Sequence, residues 1–375
     1  MTAAQTRPVR DPAGTRGPWG HTPDEVLSVI ASDGIRLHVE IDAPALTARS
    51  RPRPAGAAPT VVLIHGFTLS MSCWVLQRRA LIHSGFRVVT YDQRSHGRSG
   101  LSAPENCTID QLGRDLAAVL DAACPSGPLV LVAHSMGGMG LMAWGGAHRS
   151  VVKERVLAAA FVATSAGGPH PLTDLGLGPA FGRVVSNVGP GVLNRLGRHA
   201  SVIRQVRRLG QGIQNAIVER WAFDSPVSRE LVEFVGEQIF LTPFEVIGDF
   251  LPAIQELDEV DSLAAFSGVE TLVLNGAGDL VTPPLHSEEI VRGIPGAEHV
   301  VIEDAGHVVM LEHPQIVTQQ LLMLIQRAQR AQATGVDVSE KPWVRRKITD
   351  LRKARTAPQG RRARRARTAR ADIES

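Results

Sequence analysis

Cysteine is nearly absent. The 375 residues contain three, Cys73, Cys107 and Cys124, an odd number with no metal-ligand spacing. That excludes a disulfide framework and fits a reducing compartment. Aromatic residues make up only 4% of the chain, so branched aliphatics and alanine have to do most of the core packing. No uninterrupted apolar run approaches the ~20 residues of a membrane-spanning helix. The opening stretch MTAAQTRPVRDPAGTRGPWGHTP carries arginines but no apolar segment, so it does not read as a secretory signal, and a cytoplasmic location is expected. There is no phosphate-binding glycine loop and no His/Cys/Asp cluster at metal-ligand spacing, so neither a cofactor nor a metal is expected. No internal repeat is visible.

The hydrophobic content of 43% is enough for a substantial core in one large domain or two ordinary ones. The net charge of +3 conceals an asymmetry. Thirteen Lys/Arg against three acids put residues 341–375 at +10, which leaves the preceding 340 residues at −7. A run such as GRRARRARTARA reads as a disordered tail. Counterion release or surface potential would give it weak, non-specific contact with nucleic acid or an anionic membrane.

Residues 1–23 lack periodicity and read as disordered. EVLSVIASDGIRLHVEI reads as two strands joined at Asp33-Gly34, a hairpin signal. After a proline-rich loop, TVVLIHG, FRVVTYD and GPLVLVAHS read as buried strands. Between them lie helical patterns in CWVLQRRALIHSG and in IDQLGRDLAAVLDAA, the second opened by Thr108 three residues before Gln111, a capping-box spacing. MGGMGLMAWGGAH reads as a helix. RVLAAAFVAT reads as a strand, although its alanines also allow a helix. Residues 166–262 break the rhythm with glycines, prolines and helical patterns. The alternation then resumes through ETLVLNGAGD, PLHSEEIVRGI, AEHVVIEDAGH and a long helix from PQIVTQQLLMLIQ. Strand–helix alternation predicts a mainly parallel α/β sheet with helices on both faces. The expected organisation is a domain over 24–335 with a helical cap inserted at 166–262, and a basic disordered tail over 336–375.

Open sheets of this kind bind ligands at the carboxyl ends of their strands. Ser135, Asp279 and His307 each follow a predicted strand there. A serine hydroxyl is a poor nucleophile without a base in hydrogen-bond reach, and a histidine base needs a partner on its second nitrogen. The three residues supply one of each, in the order Ser…Asp…His, with the serine at a strand–turn–helix junction. Five blocks, IHGF at 64–67, YDQRSHGRSG at 91–100, AHSMGG at 133–138, NGAGDLVTP at 275–283 and DAGHVVMLEHP at 304–314, resemble the α/β-hydrolase superfamily across roughly 25–330. The elbow departs from G-x-S-x-G in having Ala133 at the first position. LIHGFTLSMSCWVLQ is most similar to serine esterases related to cofactor-free haloperoxidases, and AHSMGG to the monoacylglycerol-lipase-like branch.

The resemblance implies an α/β-hydrolase fold and a role for each residue. Ser135 would attack a carbonyl, His307 would carry its proton, and Asp279 would orient His307. The backbone N–H groups of Phe67 and Met136 would hold the oxyanion. Asp304, three residues before His307, is the rival acid. His65, His96, His134, His299 and His313 are rival histidines, and Asp92, Arg94 and His96 read as a brace for their loop. A serine nucleophile argues against the haloalkane dehalogenase and epoxide hydrolase readings, which need a carboxylate. The expected partner is a small-molecule ester, and the insertion would form a lid over Ser135. Perhydrolysis with the same triad, C–C bond hydrolysis, and a binding protein on a hydrolase scaffold are the competing readings.

Overall fold

The computed structural model describes residues 17–45, 58–168 and 215–351. The expectations for 1–16, for loop residues 46–57, for the first part of the insertion (169–214) and for the arginine-rich end (352–375) lie outside the described residues.

Nine strands make one sheet: β1 (Glu25–Ile30), β2 (Arg36–Asp42), β3 (Thr60–Ile64), β4 (Arg87–Tyr91), β5 (Leu129–His134), β6 (Val156–Val162), β7 (Glu270–Gly276), β8 (Glu298–Ile302) and β9 (Val344–Ile348). Their order is β1-β2-β4-β3-β5-β6-β7-β8-β9. The β1–β2 and β2–β4 pairs are antiparallel, and every other pair is parallel. The hairpin turns at Gly34, φ 85°. VLAAAFV is a strand: its alanines face both layers between β5 and β7, where small side chains let the covering helices approach.

Parallel strands buried on both faces read as continuous apolar runs, and all six residues of β5 are buried. Alternate residues feed two cores. Val130 and Val132 face the layer of α1 (Val75–His83) and the long helix Pro314–Thr334, through Leu81, Leu321 and Leu324. Leu129 and Leu131 face α2 (Ile109–Ala123) and α3 (Met136–Ala147), through Leu116, Leu120 and Leu141. The Thr108 hydroxyl accepts from the Gln111 N–H at 3.2 Å and caps α2, a contact worth about 1 kcal/mol. Among the described residues no helix is long and apolar enough to cross a membrane.

Between β6 and β7 the described part of the insertion is helical over 215–222, Arg229–Leu241 and Phe244–Gln255. Val246, Phe250 and Ile254 of the last helix pack with Met136, Met139 and Phe67 at the carboxyl ends of the strands.

Two boundaries differ from the sequence reading. Trp19, inside the stretch expected to be disordered, stacks on Phe234 of the insertion with ring centroids 4.6 Å apart. Arg79 donates to the carbonyls of Pro18, at 2.7 Å, and of Gly20. At the other end the domain does not stop at 335, because β9 adds to the sheet beside β8. The physical reason is charge pairing. Lys341 bonds Glu270, Arg345 meets Glu288 at 3.0 Å, Arg346 bonds Glu298, and Lys347 lies 3.6 Å from Glu303. Four cations that composition assigns to a solvated tail are thus spent on the acidic edge of the body.

Candidate active site

β5 runs into α3 through Ser135, which sits at φ 51°, ψ −126°. That is a sparsely populated backbone region for a non-glycine residue, and the surroundings hold it there. The Ser135 N–H donates to the Val162 carbonyl at 3.0 Å, and its carbonyl accepts from the Gly138 N–H at 2.7 Å and the Thr164 hydroxyl at 2.7 Å. A Cβ at Gly137 would stand 2.4 Å from the His65 carbonyl oxygen, so nothing larger than glycine fits. Ala133 is different. It is a regular β5 residue paired with Ile64 and Phe161, so its methyl group is accommodated.

His307 Nε2 lies 3.1 Å from Ser135 Oγ. Its Nδ1 lies 3.0 Å from Asp279 Oδ2 and 3.2 Å from Oδ1. Ser135, His307 and Asp279 are 7%, 9% and 3% exposed, so the whole row is buried and its aspartate end is the most enclosed. Asp279 Oδ1 also accepts from the N–H groups of Val281, at 2.8 Å, and Thr282, at 2.9 Å, and Oδ2 accepts from the Thr282 hydroxyl at 2.9 Å. Burial raises its pKa, but the charge and hydrogen bond of His307 and the Thr282 donors overcome that and hold it below the ordinary aspartate value. With every Asp279 oxygen accepting, His307 Nδ1 carries the proton and Nε2 is left to accept from Ser135.

Asp304 does not serve His307. It occupies a turn at φ 56°, and its carbonyl accepts from His313 Nε2 at 3.0 Å. The rival histidines bond elsewhere. His65 Nδ1–H donates to the Gly66 carbonyl at 2.7 Å while Nε2 accepts from the Gln93 N–H at 2.9 Å. His96 Nε2 accepts from the Thr68 N–H at 3.1 Å, and His299 Nε2 bonds Asn275 at 2.8 Å. His134 donates to the His307 carbonyl at 3.0 Å and so braces that loop from behind. Asp92 and Arg94 are braces too. Asp92 accepts from the Met71 and Arg98 N–H groups, each at 2.9 Å, and Arg94 pairs with Asp115 at 2.7 Å.

Phe67 and Met136 flank the serine. A Cβ on Gly66 would lie 2.9 Å from Ser135 Cβ and 2.6 Å from His134 Nδ1, so the loop before Phe67 rests directly on the elbow. Neither the Phe67 nor the Met136 N–H is taken by a turn or side-chain hydrogen bond among the described residues. Gly66→Ala is expected to push this loop, and the Phe67 N–H with it, off Ser135, and to lower hydrolytic kcat by about 10²–10³-fold where that N–H serves as an oxyanion donor; steady-state kinetics on the folded variant checks it.

The buried histidines also set an acid limit on stability. Burial pushes His96 and His134 down to about 3 and His299 to about 4. Their unfolded pKa is about 6.5, so below that pH the unfolded chain binds protons that the native state refuses, and stability falls as pH falls. Asp115, Asp249 and Glu259, raised by burial, oppose this with smaller displacements. The melting temperature is expected to drop steadily from pH 7 to pH 4. A flat profile by calorimetry would contradict the account.

Among the described residues no three His, Cys, Asp or Glu side chains gather as a metal would require. Sequence reasoning missed two supporting residues. Thr282 was detectable as a hydroxyl three residues after a loop aspartate. Glu312 lay inside a quoted block but had no assigned part.

The profile of the alpha/beta hydrolase family matches residues 61–320. The chain belongs to the alpha/beta hydrolase family. Among curated relatives it is 27% identical over 293 residues to polyketide synthase ThaQ of Burkholderia thailandensis, covering 77% of this chain but 13% of that protein. It is 29% identical over 277 residues to the putative carbamate hydrolase RutD of Pantoea ananatis, covering 72% of this chain and 89% of the relative. Among solved structures, a thermophilic esterase from Thermogutta terrifontis superposes with a TM-score of 0.58 at 26% identity, over 81% of this chain and 99% of that one.

Proposed function

We propose that this hydrolase-family chain is a serine hydrolase of carboxylic esters that works through an acyl-enzyme. The observation that carries the reading is the row Ser135 Oγ, His307 Nε2 and Nδ1, Asp279 Oδ2, with contacts of 3.1 and 3.0 Å. His307 takes the Ser135 proton as Oγ attacks the carbonyl carbon. The resulting oxyanion is met by the Met136 N–H, at the positive end of α3, and by the Phe67 N–H. Collapse of the tetrahedral adduct expels the alcohol, which receives the proton from His307. Water, deprotonated by the same nitrogen, then releases the acid. Asp279 holds the imidazole in the tautomer both half-reactions need and stabilises its cation. The likeness to the Thermogutta esterase supports an ester as substrate, and the apolar wall of Phe67, Met136 and Phe250 supports an apolar acyl group of small to medium size.

The test is a chain-length series of p-nitrophenyl esters together with active-site labelling by a fluorophosphonate. Turnover that peaks at a short or medium acyl chain, with labelling abolished in Ser135→Ala, is the expected result. Labelling that survives in that variant would sink the assignment. A folded protein with neither turnover nor labelling would favour a binding protein on the same scaffold.

A further inference from the structure

Within the insertion, between its helix over 215–222 and the helix Arg229–Leu241, residues 222–225 thread between the loops that carry Asp279 and His307. The Ala222 carbonyl accepts from the Val308 N–H at 2.9 Å. A Cβ on Gly306 would lie 2.8 Å from the Ala222 oxygen and from the Phe223 backbone, and one on Gly278 would lie 2.4 Å from Asp224 Cγ. Each loop therefore has a glycine where the strap passes: a side chain at Gly306 would press on the strap's backbone, and one at Gly278 on the side chain of Asp224.

Glu312 fastens the strap. It is buried, and its carboxylate meets four donors. Oε1 accepts from the Asp224 N–H at 3.0 Å, the Ser225 N–H at 2.5 Å and the Ser225 hydroxyl at 2.7 Å. Oε2 accepts from the Gly306 N–H at 2.6 Å. Gly306 is the residue immediately before His307. His313 Nε2 stands 4.0 Å away but bonds the Asp304 carbonyl. Hydrogen bonds to an ionised acceptor are roughly twice as strong as neutral ones, and here one carboxylate joins two segments about 80 residues apart in the chain.

We propose that Glu312 is a positioning residue: one carboxylate oxygen holds the insertion and the other holds the Gly306 N–H next to His307, so the seating of the insertion sets the distance from His307 Nε2 to Ser135 Oγ. The proposal rests on the Ser135–His307 reading above. A mere turn cap would leave the chemistry per active site unchanged when lost, whereas a positioning residue would not.

The decisive variant is Glu312→Gln. Its amide turns the oxygen toward the three donors at the strap, which leaves the NH₂ group facing the Gly306 N–H and breaks that contact selectively. Misplacing a catalytic group by an ångström costs about 10²-fold. The expected result with p-nitrophenyl butyrate, per site titrated to completion with fluorophosphonate, is a fall in kcat of about 10–100-fold with KM within about threefold. Amide hydrogen exchange should rise together in peptides covering 222–226 and 303–308. Gly306→Ala leaves the carboxylate intact, crowds Ala222, and should give the same split, so one folded variant of the two suffices. A kcat within twofold of wild type, or unchanged exchange at 303–308, overturns the proposal. Wild-type protein that neither labels nor turns over overturns the hydrolase reading instead, and the exchange measurement then decides the coupling on its own.

Discussion

Ser135→Ala is expected to lower kcat by about 10⁶-fold, the loss seen when a triad serine is removed from a serine hydrolase. That corresponds to about 8 kcal/mol of transition-state stabilisation. The geometry explains why so much hangs on one oxygen. The substitution deletes the atom proposed to form the covalent bond and leaves His307 Nε2, 3.1 Å from the lost Oγ, with no proton to accept. Stability should hardly change. Alanine keeps the backbone bonds to Val162, Gly138 and Thr164 that fix the φ 51° turn, so the melting temperature should stay within a few degrees of wild type. Residual turnover within about 100-fold of wild type, measured on protein free of contaminating esterase, would mean that another group attacks.

Asp279→Asn is expected to cost about 10⁴-fold in kcat, and for a reason visible in the hydrogen bonds. The Val281 and Thr282 N–H groups both donate to Oδ1, so an asparagine must keep its carbonyl oxygen there. Its NH₂ then occupies the Oδ2 position, 3.0 Å from His307 Nδ1. Nδ1 is forced to accept, the imidazole proton moves to Nε2, and the base presents a hydrogen to the serine it should deprotonate. The Thr282 hydroxyl, which donates to Oδ2, can rotate and accept instead. The variant should therefore fold normally and bind substrate with little change in KM. Asp304→Asn is the control, expected to stay within severalfold of wild type. Equal losses in the two variants would return Asp304 to candidacy.

The parts of this site legible in the sequence are those encoded over a few residues. AHSMGG states the elbow because the crowding at Gly137 and Gly138 comes from His65 and Thr164, just past β3 and β6, the strands that flank β5. The order Ser135, Asp279, His307 is legible because Ser135 follows β5 directly and the other two lie in the loops just after β7 and β8. The departure at Ala133 carried little weight, since that residue is still in regular β pairing and the strained conformation begins at Ser135. What was not legible depends on charge or on long sequence separation. VRRKI has too few apolar residues to announce a strand, and its order comes from Glu288, Glu298 and Glu303 on other elements. Glu312 joins Gly306 to Asp224 and to Ser225, 87 residues earlier, a link that no local pattern announces. The stacking of Trp19 on Phe234 is likewise unreadable from a segment rich in proline, glycine and arginine.

The ninth strand changes where this protein can safely be shortened. Composition invites a cut after residue 335, where the helix ends at Gly335 in the left-handed conformation. Such a cut would strip Val344–Ile348 from β8 and leave the parallel edge Glu298–Ile302, with Val300 and Ile302 from the core, open to a second chain. It would also leave Glu270, Glu288, Glu298 and Glu303 without their four cations. Exposed strand edges template self-association, so poor solubility after that cut would report a lost edge guard and say nothing about the catalytic site. A cut after 351 keeps the guard and removes only the arginine-rich remainder.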